Sequence, residues 1–189
     1  MKVEITKLDG VLRLTPDRFG DSRGFFSESW NKRRMADAGI DLDFVQDNHS
    51  LSSKVGTVRG LHYQTPPHAQ AKLVRCGQGA LLDVAVDIRA GSPTFGHWVS
   101  AELTAENGCQ LLVPVGFAHG FVTLQPDTEI IYKCTDYYAP DCDRAIAHDD
   151  PALGIEWGVD PAQRTLSDKD TAAPNLADLE TVFTWEGAA

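Results

Sequence analysis

The stretch GCQLLVPVGFAHGF, residues 108–121, sets two apolar runs on either side of a proline and a glycine. CQLLVPV and HGFVTL read as strands, and the break around Pro114 and Gly116 reads as the turn between them. The same punctuation runs outward in both directions. FVQDNHSLS, GTVRGLHYQ, AKLVRC, ALLDVAVDIR, HWVSAEL and EIIYKCTDYY are separated by the turn clusters CGQG, AGSPTFG, AENG and LQPD, and APDCD follows the last. VEIT, VLRL and GFFSESW add strands near the N-terminus. So many short strands, without helices of about 10–15 residues between them, predict an all-β sandwich or barrel. One short helix is expected in NKRRMADAGI, with Ser29 or Asn31 as N-cap and Gly39 as a left-handed stop. The tail after Pro151 reads as irregular, with TLSDKDTAAPNL able to form a turn or short helix.

The totals fit one domain over residues 1–189. A chain of 189 residues, 42% hydrophobic and 23% charged, has an ordinary globular composition and enough length for a real core. Its net charge of −10 argues against a nucleic-acid backbone as partner. A small anion in a local basic pocket stays open. Apolar runs such as ALLDVAVDI are short and interrupted by aspartate, so no membrane span is expected. MKVEITKLDG has charges where a signal peptide needs an apolar stretch, which points to the cytoplasm. Cys76, Cys109, Cys134 and Cys142 show neither C-x-x-C nor zinc-like spacing and read as small structural residues.

VRGLHYQ, residues 58–64, is the strand that does not fit a plain core. It spends an arginine, a histidine and a glutamine on positions a core strand gives to apolar groups. Either one face is exposed, or these groups point into a cavity where they act on something. On a regular strand Arg59 and His62 face opposite sides. If both line one site, Gly60 must mark a bulge. Taken singly, the candidates have plainer readings. His62 reads as a hydrogen-bonded structural histidine, Tyr132 as a half-buried strand aromatic, and Lys72 and Arg59 as edge charges that discourage aggregation.

Two spacings change that. Gly56, five residues and His62, with Gly108, five residues, Pro114-x-Gly116 and His119, resemble the two half-motifs of the cupin barrel, a jelly roll. Metal-binding cupins continue the first motif as H-x-H with a glutamate shortly after. Here Gln64 takes the second histidine's place, TPPHAQ has no glutamate, and His68 is off the spacing. His62 and His119 alone are too few for a stable divalent site. Neither a metal nor any other cofactor is expected.

A longer series of motifs follows in order: FGDSRGFFSESWN (19–31), FVQDNHSLS (44–52), VRGLHYQTPPHAQAKLVR (58–75), DVAVDIRAGSPTFG (83–96), PVGFAHGF (114–121), IYKCTDYYAP (131–140) and LSDKD (166–170). Over about residues 11–176 the chain resembles the dTDP-4-dehydrorhamnose 3,5-epimerase family. The resemblance implies a cupin-type jelly roll and inversion of C3 and C5 of dTDP-4-keto-6-deoxy-D-glucose, without a cofactor. It also implies a homodimer, to which an N-terminal arm of about residues 1–40 contributes.

The chemistry asks for what the motifs contain. Epimerising a carbon beside a ketone needs a base, a stabiliser for the enolate and an acid on the opposite ring face. His62 suits the base, Lys72 the oxyanion and Tyr132 the acid. The family pattern in LSDKD gives Asp170, rather than Asp168, as the partner of His62. By the same resemblance Arg23, Glu28, Gln46, Asn48, Arg59, His119 and Lys169 contact the ligand, with Arg23 and Arg59 suited to phosphate oxygens. Tyr138 takes the position that stacks on the thymine ring. Asp143 stands where relatives usually carry glutamate, one methylene longer. Three other readings remain: a relative inverting a single carbon or using another nucleotide sugar in secondary-metabolite synthesis, a metal cupin such as an isomerase or dioxygenase, and a non-catalytic sugar-nucleotide binder. The missing H-x-H and glutamate weigh against the metal cupin. A binder would be expected to have lost His62 or Tyr132.

Overall fold

ALLDVAVD is buried at every position but one, whereas QDNHSLS alternates between half-buried and exposed positions until the buried Ser52. That contrast separates strands covered on both faces from a strand at a sheet edge. The computed structural model describes residues 1–187 and contains thirteen strands among them. In chain order these are β1 (Lys2–Ile5), β2 (Leu12–Thr15), β3 (Phe19–Asp21), β4 (Gly24–Phe26), β5 (Gln46–Ser52), β6 (Val58–Gln64), β7 (Lys72–Gln78), β8 (Ala80–Asp87), β9 (Trp98–Thr104), β10 (Gln110–Val113), β11 (Phe117–Thr123), β12 (Thr128–Cys134) and β13 (Asp143–Ala145). A six-stranded sheet runs β1-β2-β10-β7-β12-β5 and a five-stranded sheet runs β13-β6-β11-β8-β9, all pairs antiparallel. β3 and β4 form a separate hairpin. The fold is the all-β, cupin-type jelly roll that the sequence predicts.

Three apolar layers hold it. Between the sheets, Val74, Leu111, Val113 and Ile130 of one pack with Leu81, Leu103, Phe117 and Phe121 of the other. The outer face of the five-stranded sheet is covered by the C-terminal segment, where Leu153, Trp157 and Phe183 meet Val84, Val86 and Val122. On the outer face of the six-stranded sheet, Met35 and Ile40 pack on Leu14, Leu73 and Leu112. Each side chain so buried contributes roughly 1.5–3 kcal/mol relative to exposure. Strands covered on both faces have no reason to alternate polar with apolar residues, which is why β8 and β11 do not.

Met35 belongs to α1 (Lys32–Asp37), whose N-cap Asn31 accepts a hydrogen bond from the Arg34 backbone N–H. At the other end Gly39 N–H donates to the Ala36 carbonyl and Ile40 N–H to the Met35 carbonyl, with Gly39 at φ 84°. This is a Schellman stop, and Ile40 seats beside Met35 as such stops favour. A second helix, α2 (Asp168–Thr171), lies in the tail and is capped by Ser167. Three details differ from the sequence reading. GFFSESW forms strand only over Gly24–Phe26, and neither β3 nor β13 was read as a strand. β13 exists because β6 offers it a free edge.

Candidate active site

β6 carries an irregularity at the point its sequence requires one. His62 pairs with His119 and Arg59 with Phe121, so three steps on β6 oppose two on β11. The extra residue lies in the Gly60–Leu61 step. Gly60 has φ 110°, and a Cβ there would stand 2.6 Å from the His119 carbonyl oxygen and 2.7 Å from Gly120 Cα. Only glycine fits that close approach. The bulge re-aims the strand, and Arg59 and His62 line the same cavity.

That cavity, of about 390 Å³, opens between the two sheets. Arg59, His62 and His119 enter it from the five-stranded sheet, Lys72 and Tyr132 from the six-stranded sheet, and Asp170 from α2. His62 Nε2 and Asp170 Oδ1 are 2.6 Å apart. His62 keeps 30% of its side chain exposed and Asp170 only 4%, so the carboxylate sits behind the ring. Ser167 Oγ donates to Asp170 Oδ2 at 2.8 Å and accepts from the Asp170 backbone N–H at 3.1 Å, fixing the carboxylate on the helix turn. Burial raises the Asp170 carboxyl, but the hydrogen bond and charge of His62 and the Ser167 hydroxyl outweigh it, leaving its pKa lowered. Asp168 and Lys169, one turn position earlier, are exposed.

The opposite wall carries Lys72 and Tyr132, both half-buried. Burial lowers the pKa of Lys72, although Cys134, Asp143 and Asp83 pull the other way. Burial raises the Tyr132 phenol, with Cys134 adding to it, so Tyr132 is a neutral hydroxyl donor at ordinary pH.

A second histidine–carboxylate pair lies beside the first. His119 Nε2 is 2.7 Å from Asp83 Oδ1, with 8% and 0% of the two side chains exposed. Asp83 was not singled out in the sequence. The available signal was an aspartate midway along the apolar run ALLDVAVDI, a position that needs a partner.

The remaining sequence candidates fall into two groups. Tyr138, Asp143, Lys169, Gln46 and Asn48 form one chain of contacts. The Tyr138 hydroxyl donates to Asp143 Oδ2 at 3.3 Å and Lys169 Nζ pairs with the same oxygen. Gln46 accepts from the Tyr138 backbone N–H at 2.9 Å and donates to Asn48 at 3.0 Å. None of these five lines the cavity, and Arg23 and Glu28 lie outside both the cavity lining and this chain of contacts. Arg23 pairs with Asp21 in the β3–β4 hairpin, and Glu28 holds Asn31 and Arg34 at the start of α1.

A cupin metal does not suit these side chains. His62 and His119 are the only cavity-lining histidines, Gln64 is turned to backbone groups, and no cluster of three His, Cys, Asp or Glu with metal-holding geometry occurs among the described residues. Nor is any described helix long and apolar enough to cross a membrane.

Residues 5–178 match the family model described as dTDP-4-dehydrorhamnose 3,5-epimerase. The chain belongs to this family. It is 55% identical over 179 residues to the dTDP-4-dehydrorhamnose 3,5-epimerase of Sinorhizobium fredii (strain NBRC 101917 / NGR234), covering 92% of this chain and 88% of that protein. Against the enzyme of the same name from Salmonella typhimurium it is 52% identical over 172 residues, 90% and 93% of the two chains. Its structure superposes with a TM-score of 0.94 on the crystal structure of dTDP-6-deoxy-D-glucose-3,5-epimerase from Legionella pneumophila Philadelphia 1 in complex with dTDP-4-keto-L-rhamnose, at 44% identity over 98% of this chain and 99% of that one.

Proposed function

We propose that this epimerase-family chain inverts C3 and C5 of dTDP-4-keto-6-deoxy-D-glucose, yielding dTDP-4-keto-L-rhamnose with no cofactor. The observation that carries the reading is the meeting of the His62–Asp170 pair on one sheet wall with Tyr132 and Lys72 on the other, across a single cavity. With Nε2–H donated to Asp170, the lone pair of His62 is on Nδ1. That nitrogen takes the proton from the carbon beside the ketone. The C–H pair moves into the ring and the ketone oxygen becomes an enolate, which the Lys72 ammonium stabilises. Tyr132 then delivers a proton to the other face, the C=O re-forms, and the two side chains exchange the proton back through solvent. Base and acid on opposing walls are what inversion requires, since a single group would return the proton where it came from.

The nucleotide half follows the second cluster. Tyr138 stacks on the base, Asp143 and Lys169 bind around it, and Arg59 meets the diphosphate. Asp143 is tethered to both Tyr138 and Lys169, so its shorter side chain keeps a defined place. We also read the chain as one catalytic domain that works as a homodimer. The β3–β4 hairpin exposes Phe19, Phe25 and Phe26, an apolar arm suited to a second copy. On this reading Arg23 and Glu28 reach the partner's nucleotide rather than the chain's own.

The test is turnover of dTDP-4-keto-6-deoxy-D-glucose by purified protein without added metal or coenzyme. Ring proton couplings in the product should report inversion at both carbons. Recovery of unchanged substrate would end the proposal.

A further inference from the structure

Gln64 stands where a metal-binding cupin would carry its second histidine, and it shares a strand face with His62. It is 5% exposed. Its Nε2 donates to the His68 carbonyl at 2.6 Å and to the Tyr137 carbonyl at 3.1 Å, and its Oε1 accepts from the Ala139 backbone N–H at 2.9 Å. Both donors of the amide and one acceptor are therefore spent on backbone.

Those bonds converge on one residue. The peptide group before Tyr138 is held at its carbonyl by Gln64 and at its N–H by Gln46 Oε1, 2.9 Å away. The peptide group after Tyr138 is held at its N–H by Gln64. Tyr138 itself is 60% exposed, in a segment beyond the end of β12 that no sheet pairing supports. An exposed aromatic on such a segment would otherwise lose backbone freedom on binding a ring, and a pre-set backbone removes that cost.

The geometry points to Gln64 as the positioning residue of the nucleobase subsite: the residue in place of a second cupin histidine serves as a backbone clamp that presents Tyr138 for stacking. This rests on the base-stacking reading of Tyr138 given above. Gln64 acts through Tyr138 and touches no reacting atom, so its loss should weaken nucleotide binding and spare the chemistry.

The test uses full-length Gln64→Glu, Tyr138→Ala and the double variant, with dTDP affinity by calorimetry and kcat and KM measured on dTDP-4-keto-6-deoxy-D-glucose. Glutamate keeps the shape and the Ala139 contact but turns oxygen lone pairs on two carbonyls. The expected result is a rise of about tenfold in both Kd and KM, with kcat at saturation within about threefold. In the Tyr138→Ala background the same change should add little further loss. Gln64→Met removes the bonds without adding charge and is read the same way if the glutamate variant does not fold. Unchanged Kd in Gln64→Glu while Tyr138→Ala weakens dTDP overturns the clamp and leaves stacking intact. Losses that simply multiply in the double variant, a fall in kcat alone, or failure of both Gln64 variants to fold would also overturn it. A silent Tyr138→Ala overturns stacking itself, and the clamp with it.

Discussion

His62 Nε2 and Asp170 Oδ1 stand 2.6 Å apart although 108 residues separate them in the chain. The bulge at Gly60 aims the first, and the Ser167 cap on α2 aims the second. The bulge depends on β11 across the sheet, whereas the Ser167 cap is local to α2.

This relationship separates two aspartates that the motif LSDKD leaves side by side. Asp170→Asn should lower kcat by about two to four orders of magnitude with little change in dTDP affinity, because the amide no longer stabilises the imidazolium or fixes its tautomer. Asp168→Asn, on an exposed side chain, should be close to silent. Steady-state kinetics on both variants checks the ranking, and the reverse order would reject the assignment.

If His62 removes both protons, His62→Ala should slow exchange at C3 and at C5 together, by about 10²–10⁴-fold. Binding of dTDP should remain nearly intact. A variant that still exchanged the C5 proton at close to the native rate would require a second base.

Tyr132→Phe should divide proton removal from inversion. Solvent deuterium would still enter the substrate, while net epimerisation falls, because the enolate is reprotonated from the base side or from water. Comparing deuterium uptake with epimer yield in one NMR time course makes the test. An undiminished yield would remove Tyr132 from its role as the sole acid.

The half-buried Lys72, read as the enolate stabiliser, predicts a pH dependence. Its ammonium is present below its pKa, and burial lowers that pKa, so enolate stabilisation is lost as pH rises through a value below the usual lysine one of about 10.4. The kcat profile should therefore fall on its alkaline side earlier than an exposed lysine would allow. Lys72→Arg keeps its charge there and should move that limb upward while lowering the maximum. An alkaline limb unmoved by the substitution would assign it to another group.

Much of the fold was readable because turn residues punctuate it: every strand but β3 and β13, α1 with Asn31 as one of two cap candidates and Gly39 as its stop, and a bulge at Gly60 if Arg59 and His62 were to line one site. The covering of both sheets was less so. Trp157 and Phe183 lie in a tail without periodicity, and a segment that packs by shape alone leaves no repeating signal. At the site, residues within long motifs were legible, whereas Asp83 was not. Its partner His119 lies two strands' worth of sequence away, and only sheet pairing brings β8 beside β11. Gln64 is legible in the sequence only as the residue in place of a second histidine, because its three backbone contacts depend on loops whose course no local pattern encodes.

The most direct measurement is proton NMR of the reaction with dTDP-4-keto-6-deoxy-D-glucose in D2O, counting deuterium at each ring carbon. One base on one wall and one acid on the other, serving both positions, require deuterium at C3 and at C5 of the product. Deuterium at only one of them would contradict double inversion, and deuterium at neither would contradict the proton-transfer mechanism itself.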